Sequence, residues 1–407
     1  MNSSYLTRGL RMHRYKSISL TLTLLSFLSS LLSHACAKKQ KHSQMFQSTP
    51  KKTPHKKKKA SLHKVYFLDE TRGYTHAGVK GYECPQRLKS HDPAQKFSEF
   101  LRGKLLPLTP NIQGVFSRRM SHSQMDALVT ELSQKLPDCP IEGLFELLKL
   151  PQITPKKKTL FHETDRAKEA PIKKGTLEAL LANAALIKTV VSRLDETPME
   201  AQKNFLLIRP PGHHACGSLG GFCYINNLIW AQRLILAKDK TKKIAIIDLD
   251  MHDGNGTRSL LSQVNHNTKM LNLFNKDIYP FGPSNPYNTL LPTPPYLINK
   301  PLAKGTSHLR YDATLKQGLR ELKALFPTRE EPDIVLISAG FDTSRIDSET
   351  RFSNHGFLLE EEDYEGYYKK ITEAFPNSHI IAFLEGGYDP RTLQSSFVSA
   401  MKGLFRH

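Results

Sequence analysis

Cysteine is scarce: five in 407 residues, and Cys36, Cys84, Cys139, Cys216 and Cys223 form no C-x-x-C pair. That excludes a disulfide framework, and with it dependence of the body on an oxidising compartment. Acidic residues are missing from one region altogether. Residues 1–64 hold 14 of the 58 Lys and Arg and no Asp or Glu, so most of the net charge of +20 sits there. The remaining 44 basic residues face 38 acidic ones, a mild excess that gives no basis for direct nucleic-acid binding by a folded domain. The longest apolar-biased stretch, Ile18 to Leu32, is short for a spanning helix, which needs about 20 residues. No internal repeat is present, which excludes a repeat array.

What the N-terminus does have is the anatomy of an export signal. Arg8, Arg11, Arg14 and Lys16 precede the apolar stretch, and Ala35-Cys36-Ala37 reads as a small-residue cleavage site. Residues 1–37 are therefore expected to be a signal peptide or N-terminal anchor. The chain would then be periplasmic, secreted, or attached to a membrane, with a cytoplasmic or host-targeted protein as the alternative. Residues 38–63 are Lys-rich, contain Pro50 and Pro54, and show no apolar period. They read as a disordered basic tether. The run Lys56–Lys59 could also serve as a nuclear address or meet an anionic surface. Residues 64–407 are expected to form one catalytic domain.

That domain reads as α/β. "FLLI" (205–208), "IAII" (244–247), "IVLI" (334–337) and "IIAFL" (380–384) are continuously apolar, as parallel strands covered on both faces must be. Helical patterns separate them at 175–194, 225–238, 312–326 and 359–375. The stretch 281–305, rich in Pro and Asn, is expected to be a long functional loop.

The residues just past each strand are more telling. His213 and His214 come after the first; Asp248, Asp250 and His252 end the second; Asp342 comes after the third; Gly386, Gly387 and Tyr388 come after the fourth. Sites in open α/β sheets form at the carboxyl ends of the strands. Asp250 and His252, two apart in extended chain, would face the same side and share an ion. With Asp342 they make three ligands and leave a position open, the arrangement of a catalytic zinc. Ferrous iron is the alternative. Ser344 and Gly254 stand where a second metal would want carboxylates, which argues for one ion. An adjacent His pair suits proton handling, with Asp248 and Asn255 available to orient the two rings. Tyr388 could reach a developing oxyanion, beside glycines that admit substrate.

The blocks "RPPGHHA", "GFCYINN", "DLDMHDGNGT", "SAGFD" and "LEGGYD" resemble the signatures of the histone deacetylase and acetylpolyamine amidohydrolase superfamily. "YECPQRL" (82–88), "DCPIEGLFE" (138–146) and "NKPLAKG" (299–305) extend the resemblance in order along the chain. It implies the arginase/deacetylase fold, a single three-layer domain with a mostly parallel central sheet between helices. It also implies zinc on Asp250, His252 and Asp342, water attack on an acyl amide, His213 and His214 as base and acid, and Tyr388 on the carbonyl. Gly221 and Phe222, with Tyr279, would wall a tunnel floored by Gly386 and Gly387, and Asp138 would grip substrate at the rim. A monovalent cation such as K+ would sit near Asp248, with Asn272 and Leu273 at its far side.

Asp253, Asn255, Phe274 and Phe281 depart from the commonest family residues, at the cation site and tunnel mouth. Glu349 falls where a polyamine-preferring branch carries a gatekeeping glutamate. The expected activity is removal of acetyl or other acyl groups from acetyl-lysine in proteins or from related acylated amines. The alternatives are a small-molecule acetylpolyamine amidohydrolase and an inactive acetyl-lysine binder.

Overall fold

The computed structural model describes residues 64–67, 87, 113–116, 170, 176–196, 201–216, 220–261, 267–280, 294–327, 331–347 and 356–405. All lie in the second of two units into which the chain divides, Lys59–His407. The expected signal and tether, the rim residue Asp138, Glu349 and Phe281 fall outside the described residues. Among the described residues no helix is long and apolar enough to cross a membrane.

Among the described residues eight strands form one sheet. They are β1 (Lys64–Phe67), β2 (Gln113–Phe116), β3 (Lys203–Leu207), β4 (Ile244–Asp248), β5 (Thr268–Asn275), β6 (Leu297–Leu302), β7 (Ile334–Ala339) and β8 (His379–Leu384). Their order is β2-β1-β3-β8-β7-β4-β5-β6, and every neighbouring pair is parallel. Although β3 and β4 are consecutive in the chain, β8 and β7 lie between them. All carboxyl ends point the same way, so the segments leaving the four central strands share one rim.

The apolar runs are continuous because the sheet has a core on each face. Leu206, Ile246, Leu336 and Ile381 pack with α1 (Thr176–Arg193), α2 (Asn227–Lys238) and α3 (Asn255–Leu261). Their strand neighbours Phe205, Leu207, Ile247, Ile337 and Ile380 pack the other way, with α4 (His308–Ala324), α5 (Asp363–Ala374) and α6 (Pro390–Phe405). Alternation across the pleat thus feeds two cores rather than one. Each fully buried Leu or Ile is worth roughly 1.5–3 kcal/mol, so truncating Ile246 or Ile337 should cost about 2–5 kcal/mol.

The long loop expected over 281–305 is partly a strand. Residues Leu297–Leu302, "LINKPL", pair with β5 as the outermost strand. Pro301, Lys300 and Asn299 disguise it, but an edge strand tolerates proline and half-exposed polar side chains because its outer side makes no ladder. β5 also escaped the apolar criterion, because the buried Asn272 and Asn275 interrupt it. α6 is built from "PRTLQSSFVSAMKGLF", whose serines and glycine lower helix propensity; packing of its apolar face overrides that.

Candidate active site

The segment leaving β4 does not run on as extended chain. It bends, and each aspartate accepts the backbone N–H two residues on: Asp248 Oδ1 from Asp250 at 3.1 Å, Asp250 Oδ1 from His252 at 2.9 Å. These paired Asx turns, not a strand's two-residue period, turn Asp250 and His252 to one point. Asp342, just beyond β7, ties in from the side: its Oδ1 accepts the N–H of Met251 at 3.0 Å.

His252 Nδ1 then lies 3.1 Å from Asp250 Oδ1 and 3.0 Å from Asp342 Oδ2. One ligand atom from each of the three residues falls within 4.8 Å of the others, and all three side chains are buried. Ligand atoms about 2 Å from a tetrahedral ion stand roughly 3.3 Å apart, so the set fits a small divalent cation. Two buried carboxylates need a positive partner, which is the chemistry such an ion supplies. Burial disfavours a charged His252, but its hydrogen bonds to Asp250 and Asp342 overcome it and push its pKa up to about 9. Gly386 closes the back of the cluster. Its N–H donates to Asp250 Oδ2 at 2.7 Å, and a Cβ there would collide with Asp342 Oδ2 and sit 2.6 Å from Asp250 Oδ2. Only glycine fits.

The two histidines stand side by side, ring centroids 4.0 Å apart, with different partners. His213 Nδ1 is 3.1 Å from Asp248 Oδ2, and its Nε2 is 3.6 Å from Asp250 Oδ1. His214 Nδ1 is 2.7 Å from Asn255 Oδ1. Burial opposes a charge on His213, but Asp250 and Asp248 outweigh it and hold its pKa well above the ordinary value. Burial, then the neighbouring His213 and His252, hold that of His214 well below. The short helix α3 anchors both: Asn255 orients the His214 ring, while the Thr257 N–H donates to the His213 carbonyl at 3.0 Å.

Around this lies an aromatic enclosure. The Tyr279 ring meets His214 edge-on at 5.0 Å, and Phe222 meets Tyr388 edge-on at 5.6 Å. Gly221 (φ +53°) lets the chain turn over His214, where a Cβ would collide with the ring. Tyr388 is buried, and burial, then Asp342 and Asp250, push its pKa well above the usual phenol value.

Three buried residues that brace the backbone around Tyr388 and His213 were not singled out from the sequence. Arg87 is fully buried, lies 4.9 Å over the Tyr388 ring, and donates to the carbonyls of Gly387, at 2.6 Å, and Glu385. Asp347 Oδ2 accepts the N–H groups of Tyr388 at 2.5 Å and Asp389 at 2.7 Å. Glu385 Oε2 accepts from Gly212 at 2.8 Å and His213 at 3.3 Å. Burial pushes the carboxyls of Asp347 and Glu385 up to about 7. Arg87 and Glu385 stand inside the blocks "YECPQRL" and "LEGGYD"; nothing local to the sequence around Asp347 marks it.

Around the positions expected at the far side of a cation site, the polar side chains bond to one another. Asn272 lies level with Asp248 across the strand pair, and Leu273 is buried beside it. The Asn272 amide donates to Asp253 Oδ1 at 2.8 Å and to Asn299 Oδ1 at 3.2 Å, while its Oδ1 faces the Gly254 N–H at 3.4 Å. Asp253 pairs with Arg258 at 2.6 Å, both buried. The departure at Asp253 is thus matched by a basic partner five residues on. The buried Cys223 thiol donates to the Gly221 carbonyl at 3.3 Å, and Cys216 is half-buried.

Residues 117–404 match the model of the histone deacetylase domain. The chain is 31% identical over 226 residues to an uncharacterised protein of Synechocystis, covering 54% of this chain and 67% of that one. It is 29% identical over 240 residues to Histone deacetylase 14, chloroplastic, of Arabidopsis thaliana (56% and 52%). It is 28% identical over 242 residues to Acetylpolyamine amidohydrolase 2 of Pseudomonas aeruginosa (58% and 64%). The matches thus span between about half and two thirds of these relatives' own lengths. The crystal structure of the HDA15 HD domain superposes with a TM-score of 0.60 at 21% identity, covering 85% of this chain and 90% of that one. It shares the fold.

Proposed function

Because the chain belongs to the histone deacetylase domain family, we propose that it is a zinc-dependent deacetylase that hydrolyses the acyl amide of acetyl-lysine or a related acylated amine. One observation carries the reading. Asp250, His252 and Asp342 converge within ligand distance at the rim that also receives the His213–His214 pair and Tyr388. Those three side chains would hold the zinc, which would supply Lewis-acid chemistry at the amide.

The chain's own residues do the rest. His213, backed by a carboxylate, and His214, backed by an amide, are set for different proton roles: one takes the proton of the attacking water, the other gives one to the leaving amine. Tyr388 donates its hydroxyl to the carbonyl oxygen as charge develops. Phe222 and Tyr279 flank the acyl-amine stem and exclude water.

Names among the relatives support two substrate classes, acetylated protein lysine and acetylpolyamine. Acetate release from an acetyl-lysine peptide and from acetylspermidine, with and without a chelator, tests the reading. Turnover of at least one, lost on chelation and restored by zinc, is expected. Tyr388→Phe should lower kcat by about 10²–10³ with zinc retained, by analogy with removal of one oxyanion donor. Unchanged turnover in that variant would sink the mechanism, and no turnover of either substrate by wild type would favour the inactive acetyl-lysine binder.

A further inference from the structure

Glu385 is the first residue past β8, is fully buried, and takes no part in the chemistry above. A buried carboxylate is an expensive way to fill space, and packing alone never requires one. Its connections show what it holds. The backbone N–H of Glu385 donates to the Ala339 carbonyl at 3.1 Å, which seats it on β7. Its carbonyl accepts from Arg87. Its side chain crosses to a third strand, where Oε2 accepts the N–H groups of Gly212 and His213. Those two amides belong to the loop leaving β3, beyond the last ladder bond of that strand. Glu385 Oε1 is buried and has no hydrogen-bond partner among the described residues. The carboxylate is therefore aimed, through one oxygen, at the two amides that precede the His pair.

We propose that Glu385 is a positioning residue, whose carboxylate locks the Gly212–His213 backbone to the strand end that carries Tyr388. The inference rests on the deacetylase reading. Tyr388 lies three residues after Glu385, and the His213 ring hangs directly from one of the clamped amides. One side chain thus fixes the distance between the proton-handling pair and the phenol, groups delivered by two different strands. The His213 ring has little freedom to absorb an error, since its two nitrogens lie 3.1 and 3.6 Å from Asp248 and Asp250. A misplacement on the order of 1 Å at reacting groups can cost about 10²-fold in rate.

The test uses full-length, zinc-loaded protein and three variants. Glu385→Gln keeps an acceptor oxygen for both amides, and kcat should stay within about fivefold of wild type by the same positioning argument. Glu385→Leu removes the acceptor. Its kcat should fall about 100-fold with KM changed by less than about threefold and zinc still bound. Hydrogen exchange at Gly212 and His213 should accelerate in Glu385→Leu and not in Glu385→Gln, a readout that needs no turnover. If wild type hydrolyses neither test substrate, the proposed function fails while the exchange comparison still decides the clamp. Should Glu385→Leu not fold, Glu385→Asp, one methylene short of the amides, is expected to show the same loss in kcat. Wild-type kcat in the shortened or the apolar variant overturns the proposal. So does unaltered exchange at the two amides, or a loss of rate that merely tracks lost zinc or lost folded protein.

Discussion

At the carboxyl ends of the central strands, five acids are buried and aimed at a partner. Asp248 faces His213, Asp250 and Asp342 share His252, and Asp347 and Glu385 hold backbone amides. At the amino ends of the same sheet lies a cleft of about 190 Å³, lined by Asp195, Lys238, Lys242, Asp333 and His379 among others. It has similar residue types, yet Lys238–Asp195 at 2.7 Å and Lys242–Asp333 at 3.3 Å stand half in water. In water such pairs gain little Coulomb energy and lose side-chain entropy. Charge density alone does not distinguish the two rims. What differs is that one set is desolvated, so each charge must be matched by a fixed partner or by an ion.

The largest effect that would sharpen this contrast is at the three residues proposed to hold the metal. Asp342→Ala removes one of three ligand groups and leaves Asp250 and His252 to hold an ion alone. Zinc content measured by mass spectrometry should fall well below one per chain, and turnover should drop by at least about 10³-fold. Full zinc occupancy in that variant would break the assignment of the rim as a metal centre.

A smaller effect belongs to Asp347, which is buried at the same rim but belongs to no metal cluster. Burial, its principal cause, raises the folded pKa to about 7, above the value of an exposed aspartate. Between about pH 4 and 7 the unfolded chain loses this proton while the folded protein keeps it. Stability therefore falls across that window and levels off above it. At about 1.4 kcal/mol per pKa unit, the wild-type disadvantage relative to Asp347→Asn should grow by a few kcal/mol between pH 4 and 7. Denaturant unfolding of both proteins at pH 4.5 and 8 checks this. A pH-independent difference would show that Asp347 is solvated, and the two rims would then be less distinct than drawn.

Legibility in the sequence divides along similar lines. The central strands announced themselves because they are buried on both faces, and the ligands, the His pair and Tyr388 came with them because each sits at the end of such a strand. Even the orienting partners, Asp248 for one histidine and Asn255 for the other, could be named from spacing. The edge was hidden: β6 carries Pro301 and Lys300, which alternation and propensity both read as loop. Long-range partners were hidden for a different reason. Asp347 reaches Tyr388 from 41 residues away and Arg87 reaches Gly387 from 300. No local pattern encodes such a meeting, since the fold alone brings them together. The extended-chain argument brought Asp250 and His252 together by the wrong geometry, because the Asx turns that make them converge depend on side-chain oxygens rather than on strand period.

The smallest effect is expected at the amino-end cleft, and it is the one most able to overturn the contrast. Lys238 is the best-connected cation there: its ammonium lies 2.7 Å from Asp195 and 3.3 Å from the Val191 carbonyl, at the junction of α1 and α2. Its side chain is 43% exposed and that of Asp195 68%. Lys238→Ala should therefore change unfolding free energy by less than about 1 kcal/mol, and raising the salt concentration should shrink even that difference. The variant leaves every group at the opposite rim untouched, so kcat and zinc content should equal those of wild type. A loss of several kcal/mol would mean that the cleft is effectively buried. A change in kcat would mean that the two ends of the sheet communicate through the strands, and the rim chemistry could then no longer be treated as self-contained.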